Sequence, residues 1–244
     1  IDTAGRYVTQ DSNAQVDQSA WKTFLKLLKK HRPRQPINGI IATLSVDHLV
    51  ASDGAELRQV AQQMRLRIEE LQQEFGLQFP VYLMVTKCDL ISGFTEFFAA
   101  LEAPQREQVW GATFPFDPAT RSRQPLKESL EKEFPLLVER LNQLMLKRLA
   151  EERDVDRRAA MYPFPQQFAS LGPQLVEFLD IAFGSSRLTQ PTLVRGLYFT
   201  SGTQFGAAID RVMLGIARSL DLRGNSARAN LATGAAKSFF IRSM

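Results

Sequence analysis

Two short apolar segments, residues 39–45 and 80–86, place the strongest limit on the fold. Each is a continuous apolar run of strand length. Between them, apolar residues recur at helical spacing: Leu57, Val60, Ala61, Met64, Ile68, Leu71 and Phe75. This periodicity predicts an amphipathic helix, and Gly76 stands at the position of a C-cap. Strands joined by a helix of this length are parallel, and continuous apolar strands are typical of a sheet covered on both faces.

The residues before the first strand predict a loop and a helix. Residues 7–17 are polar and are predicted to form a loop, after which four large apolar residues recur at helical spacing before Pro33 and Pro36 end the helix. Those four are Trp21, Phe24, Leu25 and Leu28. After the second strand, Ser92 is predicted to cap a helix that continues to Leu101.

The rest of the chain predicts a helical middle and a return to the sheet. Residues 104–194 carry little strand signal but two apolar helical stripes, the second broken near Gly172 and Pro173. A strand is predicted at 196–201. A helix is predicted after it, with one apolar face formed by Ile209, Val212, Met213, Ile216 and Leu220.

These patterns predict an α/β fold with four parts. Residues 1–103 form an α/β part with a parallel sheet, and residues 104–194 form a large helical insertion. Residues 195–222 supply a final strand and helix that return to the α/β part, and residues 223–244 form a basic tail.

Composition excludes several classes of function. A hydrophobic content of 44% with 23% charged residues indicates a globular chain, and no apolar run approaches the ~20 residues needed to cross a bilayer, so we expect it to be soluble. From Arg187 onward, eight basic residues face two acidic ones, which suits anionic lipid or an acidic partner. The aromatic residues there are explained by strand and helix faces, so we expect no nucleic-acid partner.

Metal and nucleophilic chemistry find little support in the sequence. Cys88 is the only cysteine, so the chain cannot form an internal disulfide. His31 and His48 have no metal-ligand spacing with it. The serines that could act as nucleophiles have no evident base partner, and we predict no catalytic residue.

Two loop motifs carry a possible nucleotide chemistry. Asp2 and Gly5 form a DxxG sequence, in which the carboxylate holds Mg²⁺ through water and the glycine N–H approaches the γ-phosphate of GTP or ATP. The second motif, residues 86–89, directly follows a predicted strand. In it Lys87 can lie along a purine ring, while Asp89 can accept hydrogen bonds from the N1 and N2 donors of guanine.

Two further positions complete the predicted nucleotide site. Thr86 opens the second motif, and Ser201 lies in a later loop where such folds place another base-contacting segment. The same observations allow a structural interpretation, in which Asp2 and Asp89 only cap the turns after their strands.

The chain contains no GxxxxGK[ST] loop, the element that cradles the β- and γ-phosphates. Together with the two loop motifs, this leads us to interpret residues 1–103 as a GTPase-like α/β part with the parallel sheet of an incomplete P-loop fold. Arg6 also stands where a switch enzyme has a glutamine that orients water. Because the sequence opens directly on Ile1 and the DxxG motif, we interpret it as part of a longer protein. This chain alone is therefore predicted to be inactive, with nucleotide hydrolysis left open for the longer protein.

Five segments closely resemble the IcmF/TssM family of type VI secretion components. They are spread over nearly the whole chain in the family's order. They are residues 1–11 (IDTAGRYVTQD), 31–39 (HRPRQPING), 86–90 (TKCDL), 110–114 (WGATF) and 195–204 (RGLYFTSGTQ).

The resemblance implies a location, partners and roles for particular residues. It implies the cytoplasmic face of the bacterial inner membrane, a TssL/DotU-type partner, baseplate components and further copies of the same protein. The basic C-terminal residues agree with the positive-inside rule for a following transmembrane helix. The family's Mg²⁺ and phosphate roles fall on Asp2 and Gly5, and its base-reading roles on Lys87 and Asp89. The function predicted first is a scaffold, and the alternative is a nucleotide-driven switch.

Overall fold

A computed structural model of the chain describes residues 14–50, 54–115, 126–184, 192–202 and 238–241. The predicted site residues Asp2 and Gly5, and the helix predicted over residues 209–220, lie outside these ranges. The helices are α1 Ala14–His31, α2 Val46–Val50, α3 Gly54–Phe75, α4 Phe94–Phe98, α5 Ala103–Arg106, α6 Leu126–Glu151, α7 Val155–Met161, α8 Phe164–Ala169 and α9 Gly172–Phe183. The strands are β1 Ile40–Ser45, β2 Pro80–Thr86, β3 Gly111–Thr113 and β4 Leu193–Phe199, and a 3₁₀ turn covers Cys88–Leu90.

The described strands form one four-stranded sheet in the order β1-β2-β4-β3. Strands β1, β2 and β4 are parallel, whereas β3 runs antiparallel to β4. The sheet is therefore mixed, and the prediction of a parallel sheet describes three of its strands. Strand β3 falls inside the segment 104–194 that was expected to be helical. Its three residues, Gly111–Thr113, are too few to show a periodic pattern, and pairing with β4 defines them as a strand.

One face of the sheet is buried far more than the other. On the central strand β2, Val81, Leu83 and Val85 are fully buried, while Tyr82 and Met84 between them are only half-buried. On the neighbouring strand, Ile41 is 60% exposed. Within the described residues, therefore, only one face of the sheet is well buried, whereas the continuous apolar runs predicted burial of both faces. The strand order gives a reason, because right-handed crossovers that step in one direction along a sheet keep their helices on one side.

The helix between the first two strands forms as its periodicity predicts. Helix α3, Gly54–Phe75, buries its apolar stripe, and Gly76 follows it with a φ of 64°. The Gly76 N–H donates to the carbonyl of Gln72 at 2.9 Å, which confirms the predicted C-cap.

Two helix boundaries differ from the prediction. Helix α1 begins at Ala14, inside the residues expected to form a loop. The helix expected from Ser92 to Leu101 covers only Phe94–Phe98, and Gly93 with a φ of 82° takes the N-cap position. A β-carbon on Gly93 would lie 2.4 Å from the carbonyl oxygen of Ala160, so packing against α7 places the glycine at this helix start.

Aromatic rings join the helices to the sheet. Phe94, Phe164, Phe168 and Phe199 are fully buried and contact one another or Trp110 at centroid distances of 4.8–6.5 Å. Such pairs contribute about 0.5–1.5 kcal/mol each beyond their buried area. The core therefore continues from the sheet into the helical segment without a break.

Residues near the C-terminus also reach this core. Phe239 and Phe240 are only 5% and 6% exposed and pack against Phe94 and Phe98. Phe239 forms an antiparallel bridge with Ser201, just after β4. The predicted tail thus contains a segment, residues 238–241, that packs with the rest of the fold; the predicted boundary at residue 223 stays a prediction. Within the described ranges, no helix combines the length and the apolar character needed to cross a membrane.

Candidate functional site

The candidate site lies where three parallel strands end. The ends of β1 and β2 are in register, with Ser45 opposite Thr86. The end of β4 joins them because the Thr200 N–H donates to the carbonyl of Val85 at 2.8 Å. Ligands of open α/β sheets bind at this edge, beyond the carboxyl ends of the strands.

The loop after β2 holds its charged side chains in a tight turn. Lys87 adopts the left-handed conformation, with φ 58° and ψ 35°, which is uncommon for a residue with a side chain. Its carbonyl accepts the Leu90 N–H at 3.0 Å, and the Cys88 N–H donates to the carbonyl of Thr200 at 3.1 Å. The turn is therefore fixed by its own hydrogen bonds and by β4.

The ammonium group of Lys87 lies against the end of β1. Its Nζ is 3.3 Å from Oδ2 of Asp47, in the first turn of α2. Both side chains are more than a third exposed, at 36% and 41%. An exposed pair of this kind contributes about 0–1 kcal/mol, so it orients Lys87 more than it stabilises the fold.

The environment of Asp47 favours its carboxylate form. Burial raises the pKa of Asp47, but the polar groups around it, among them the hydrogen bond and charge of Lys87 and the charge of His48, lower it by more. The net result is a pKa below the ordinary value. The carboxylate that faces Lys87 is therefore charged at neutral pH.

Asp89 is tied to the end of β4. Ser201 is fully buried, and its hydroxyl donates to Oδ1 of Asp89 at 2.5 Å. A hydrogen bond to a charged acceptor contributes about 1.5–3 kcal/mol, which is more than the exposed pair at Lys87. Asp89 thus links the end of β2 to the end of β4. This is a structural role, but it differs from the capping of a turn that the structural interpretation predicted.

Cys88, which lies between Lys87 and Asp89, is expected to be unreactive. It is fully buried, and burial raises the pKa of its thiol far above the ordinary value. The Sγ atom lies 3.5 Å from the carbonyl oxygen of Val85, to which it donates. A thiol that stays protonated is neither a nucleophile nor a ready metal ligand.

The structure brings together four of the six predicted site residues. Thr86, Lys87, Asp89 and Ser201 meet at one edge of the sheet. Sequence reasoning missed Asp47, the partner of Lys87. The signal was available, since Asp47 follows the first predicted strand by two residues and is a carboxylate at the expected edge.

The base-reading role predicted for Lys87 and Asp89 stays a prediction. In general, an aspartate carboxylate can accept from two neighbouring donors, and a lysine stem can lie along a ring. Across the described ranges, no group of three or more His, Cys, Asp or Glu side chains is placed to hold a metal ion. The predicted Mg²⁺ role of Asp2 lies outside them and stays a prediction.

The fold and this strand-edge site define an α/β chain whose described strands form one mixed sheet, and comparison with known proteins identifies its family. Residues 14–244 match the IcmF-related N-terminal domain family. The chain is 48% identical over 242 residues to the type VI secretion system component TssM1 of Pseudomonas aeruginosa, an alignment that spans 99% of this chain and 22% of that protein. No solved structure shows a significant match. The chain belongs to the IcmF/TssM family of type VI secretion components.

Proposed function

We propose that this chain is an assembly module, a GTPase-like domain that the secretion membrane complex uses as a scaffold. One observation carries the proposal. Lys87 and Asp89, the two residues suited to reading a base, are each engaged by a side chain of the same fold, Asp47 and Ser201. Because these two side chains are held by contacts within the fold, the motif 86–89 has a structural role at the strand ends.

The scaffold proposal includes a place and partners for the domain. It sits on the cytoplasmic face of the inner membrane, where it contacts a TssL/DotU-type protein, baseplate components and other copies of itself. Support comes from membership of the family and from the excess of basic residues after Arg187, which suits an anionic lipid surface. The chain spans 22% of the length of the relative it matches, so these partners are proposed for the domain as part of a larger protein.

Nucleotide binding by this chain tests the scaffold proposal directly. We expect isothermal titration calorimetry with GTP or ATP and Mg²⁺ to show no binding at micromolar concentration. Tight, Mg²⁺-dependent binding that Asp89→Ala abolishes would overturn the proposal. Lys29→Gln is a matched control, because Lys29 pairs with Glu74 on another part of the surface.

Mapping the partners provides a second, independent test. A photoreactive residue placed on the outer helices of the domain within the secretion complex should crosslink to partner proteins. The same residue placed in the loop 86–90 should not. Crosslinks confined to that loop would contradict the scaffold proposal and favour a ligand-controlled role for this edge of the sheet.

A nucleotide switch is the second candidate, and the geometry of the strand ends favours it. The motif 86–89 and Ser201 meet at the carboxyl edge of parallel strands, where such folds bind nucleotides. The weak exposed pair at Lys87 could be exchanged for a base at little cost. An intact GxxxxGK[ST] loop before Ile1 in the gene, together with GTP or ATP hydrolysis by the longer protein, would favour the switch.

A further inference from the structure

We infer that a groove beside helix α6 is a docking site for an acidic amphipathic helix of a partner protein. The groove has a volume of about 360 Å³ and runs between α6 and the segment from α4 to β3. We call it the α6 groove. The inference deepens the proposed assembly function, because it names a surface and the chemistry of what binds there.

The walls of the α6 groove are mainly apolar, although Gln105 and Gln108 are among the residues that line it. Helix α6 contributes Leu137, Leu141 and Leu144, which follow one another at helical spacing. The opposite wall contributes Leu101 and Val109. Val109 is 46% exposed, and the two side chains at positions 101 and 144 are half-buried, so the groove presents apolar surface to solvent.

The rim of the α6 groove is basic. Arg140, Lys147 and Arg148 line it, and none of the described residues lining it is acidic. The Glu151 carboxylate pairs with two of them, its oxygens lying 3.9 Å from the Lys147 ammonium and 3.5 Å from the Arg148 guanidinium. Three cations and no acidic residue among the described residues that line the groove give it a positive rim, which is complementary to an acidic partner.

Arg148 has donor capacity that the described residues do not use. Among them, its buried Nε atom has no hydrogen-bond partner, and its side chain is 12% exposed. Buried donors are nearly always paired, so the unpaired Nε distinguishes this guanidinium at the groove wall. A partner carboxylate at this rim would meet the guanidinium with a charge-assisted hydrogen bond.

The apolar spacing and the basic residues of the groove together suit a helix. A helix that enters a groove presents apolar side chains at i, i+3 or i+4 and i+7, spaced like the leucines of α6 itself. Glutamates that flank those positions would reach Arg140 and Lys147, both of which are exposed. The occupant that matches both features is therefore an amphipathic helix with an acidic polar face.

A synthetic peptide tests this inference on the purified chain. The probe is an 18-residue fluorescein-labelled helix with leucines on one face and glutamates on the other, and fluorescence anisotropy reports its binding. We expect binding in the micromolar range that weakens as salt is raised, and no binding by the same peptide with lysines in place of glutamates. Equal binding of the two peptides, or no binding of the acidic one, would overturn the inference.

Variants with matched controls locate the binding. Val109→Asp, and Arg140→Glu combined with Lys147→Glu, should each weaken binding about tenfold or more. Leu146→Asp is the control for the apolar change, since Leu146 is 69% exposed on the side of α6 away from the groove. Lys132→Glu is the control for charge on the same helix. Equal losses in variants and controls would show that the peptide does not occupy the α6 groove.

Other occupants of the groove give different and distinguishable results. If Val109→Asp changes the sedimentation of the chain alone, the groove joins two copies and the inference is wrong. If Arg140→Glu with Lys147→Glu abolishes binding to vesicles of phosphatidylglycerol and phosphatidylethanolamine but leaves peptide binding intact, the rim serves a lipid surface and the inference is also wrong. Neither result touches the scaffold proposal, which fails only on nucleotide binding or on crosslinks confined to the loop 86–90.

Discussion

The hydrogen bond between Asp89 and Ser201 should be the strongest single polar link at the strand edge. We expect Asp89→Ala to lower the free energy of unfolding by about 1–2 kcal/mol, because the buried Ser201 hydroxyl loses a charged acceptor. Ser201→Ala should cost a similar amount, and the double variant should cost little more than either single one. Urea denaturation of the four proteins gives the coupling energy as a double-mutant cycle.

The outcome of that cycle separates two roles for Asp89. A coupling near zero would mean that the two side chains do not interact in solution, and that Asp89 is available to a ligand. A loss of several times the expected value would instead mean that the edge of the sheet depends on this carboxylate. Asp89→Asn is the conservative control, since it keeps an acceptor for the Ser201 hydroxyl but loses the charge.

The ion pair at Lys87 makes a pH-dependent contribution with a definite sign. The pKa of Asp47 in the folded chain lies below its ordinary value of 3.8, so the fold favours the carboxylate. That stabilisation is complete above the unfolded pKa and is lost as pH falls through the folded pKa. In Lys87→Gln the pKa of Asp47 should rise, because burial still acts while the ammonium is gone.

Carbon-detected NMR of the Asp47 carboxyl measures this change directly. The titration should run from about pH 2 to about pH 6, a range that includes the ordinary pKa of an aspartate carboxyl. Lys29→Gln should leave the titration of Asp47 unaltered, because Lys29 pairs with Glu74. A titration that is the same in Lys87→Gln and in the parent chain would show that the ion pair does not form in solution. High salt should reduce the shift in the parent chain, since both side chains are partly exposed.

At the level of single residues, the sequence alone predicted which residues lie at the edge of the sheet, but not which of them pair with one another. The motif 86–89 was recognisable because it follows a continuous apolar strand, and Ser201 because it follows another. Which of these residues pair was not recognisable, since Lys87 lies 40 positions from Asp47 and Asp89 lies 112 positions from Ser201. Only the strand order places those positions side by side.

Among the elements, β3 depends on a residue without a side chain. A β-carbon on Gly111 would lie 2.2 Å from the carbonyl oxygen of Leu197 and 2.7 Å from Cα of Tyr198, both in the backbone of β4. Gly111→Ala should therefore lower stability by about 1–3 kcal/mol, since backbone atoms must move to make room. Thermal or urea denaturation measures the loss.

Gly54→Ala is the matched control for that substitution. A β-carbon there would meet only the guanidinium of Arg58, at 3.2 Å, and a flexible side chain can move away. Its effect should stay within about 0.5 kcal/mol. If Gly111→Ala were as mild as Gly54→Ala, the close pairing of β3 with β4 would not exist in solution.

The contrast between α3 and β3 shows which elements a sequence can predict. Helix α3 carries a periodic apolar stripe over 22 residues, and both its existence and its C-cap were predictable. Strand β3 has 3 residues and is defined by pairing with a distant strand. The antiparallel edge of the sheet, and the exposure of one sheet face, therefore had no signal in the local pattern.

For the whole molecule, residues 238–241 are the segment whose packing was least expected. Phe239 and Phe240 contact the ring cluster of α4, and the Arg106 guanidinium lies 5.8 Å from the ring centre of Phe239. A basic tail was predicted for this region because the local composition is small, polar and cationic. The contacts with the core are made by two adjacent rings. The prediction used the average composition of residues 223–244, which does not reveal two single residues.

Phe239 and Phe240 should hold residues 238–241 to the core, so that the described parts of the chain unfold together. Phe239→Ala and Phe240→Ala should each lower the free energy of unfolding by about 3 kcal/mol, because each removes a buried ring from a close-packed cluster. Ile241→Ala is the adjacent control; its side chain is 42% exposed, and the change should stay within about 0.5–1 kcal/mol. The unfolding transition should remain a single step in all three, since the cluster joins the sheet, the helical segment and residues 238–241. If the Phe239 and Phe240 variants cost no more than the Ile241 variant, the segment does not dock in solution and the core ends at β4.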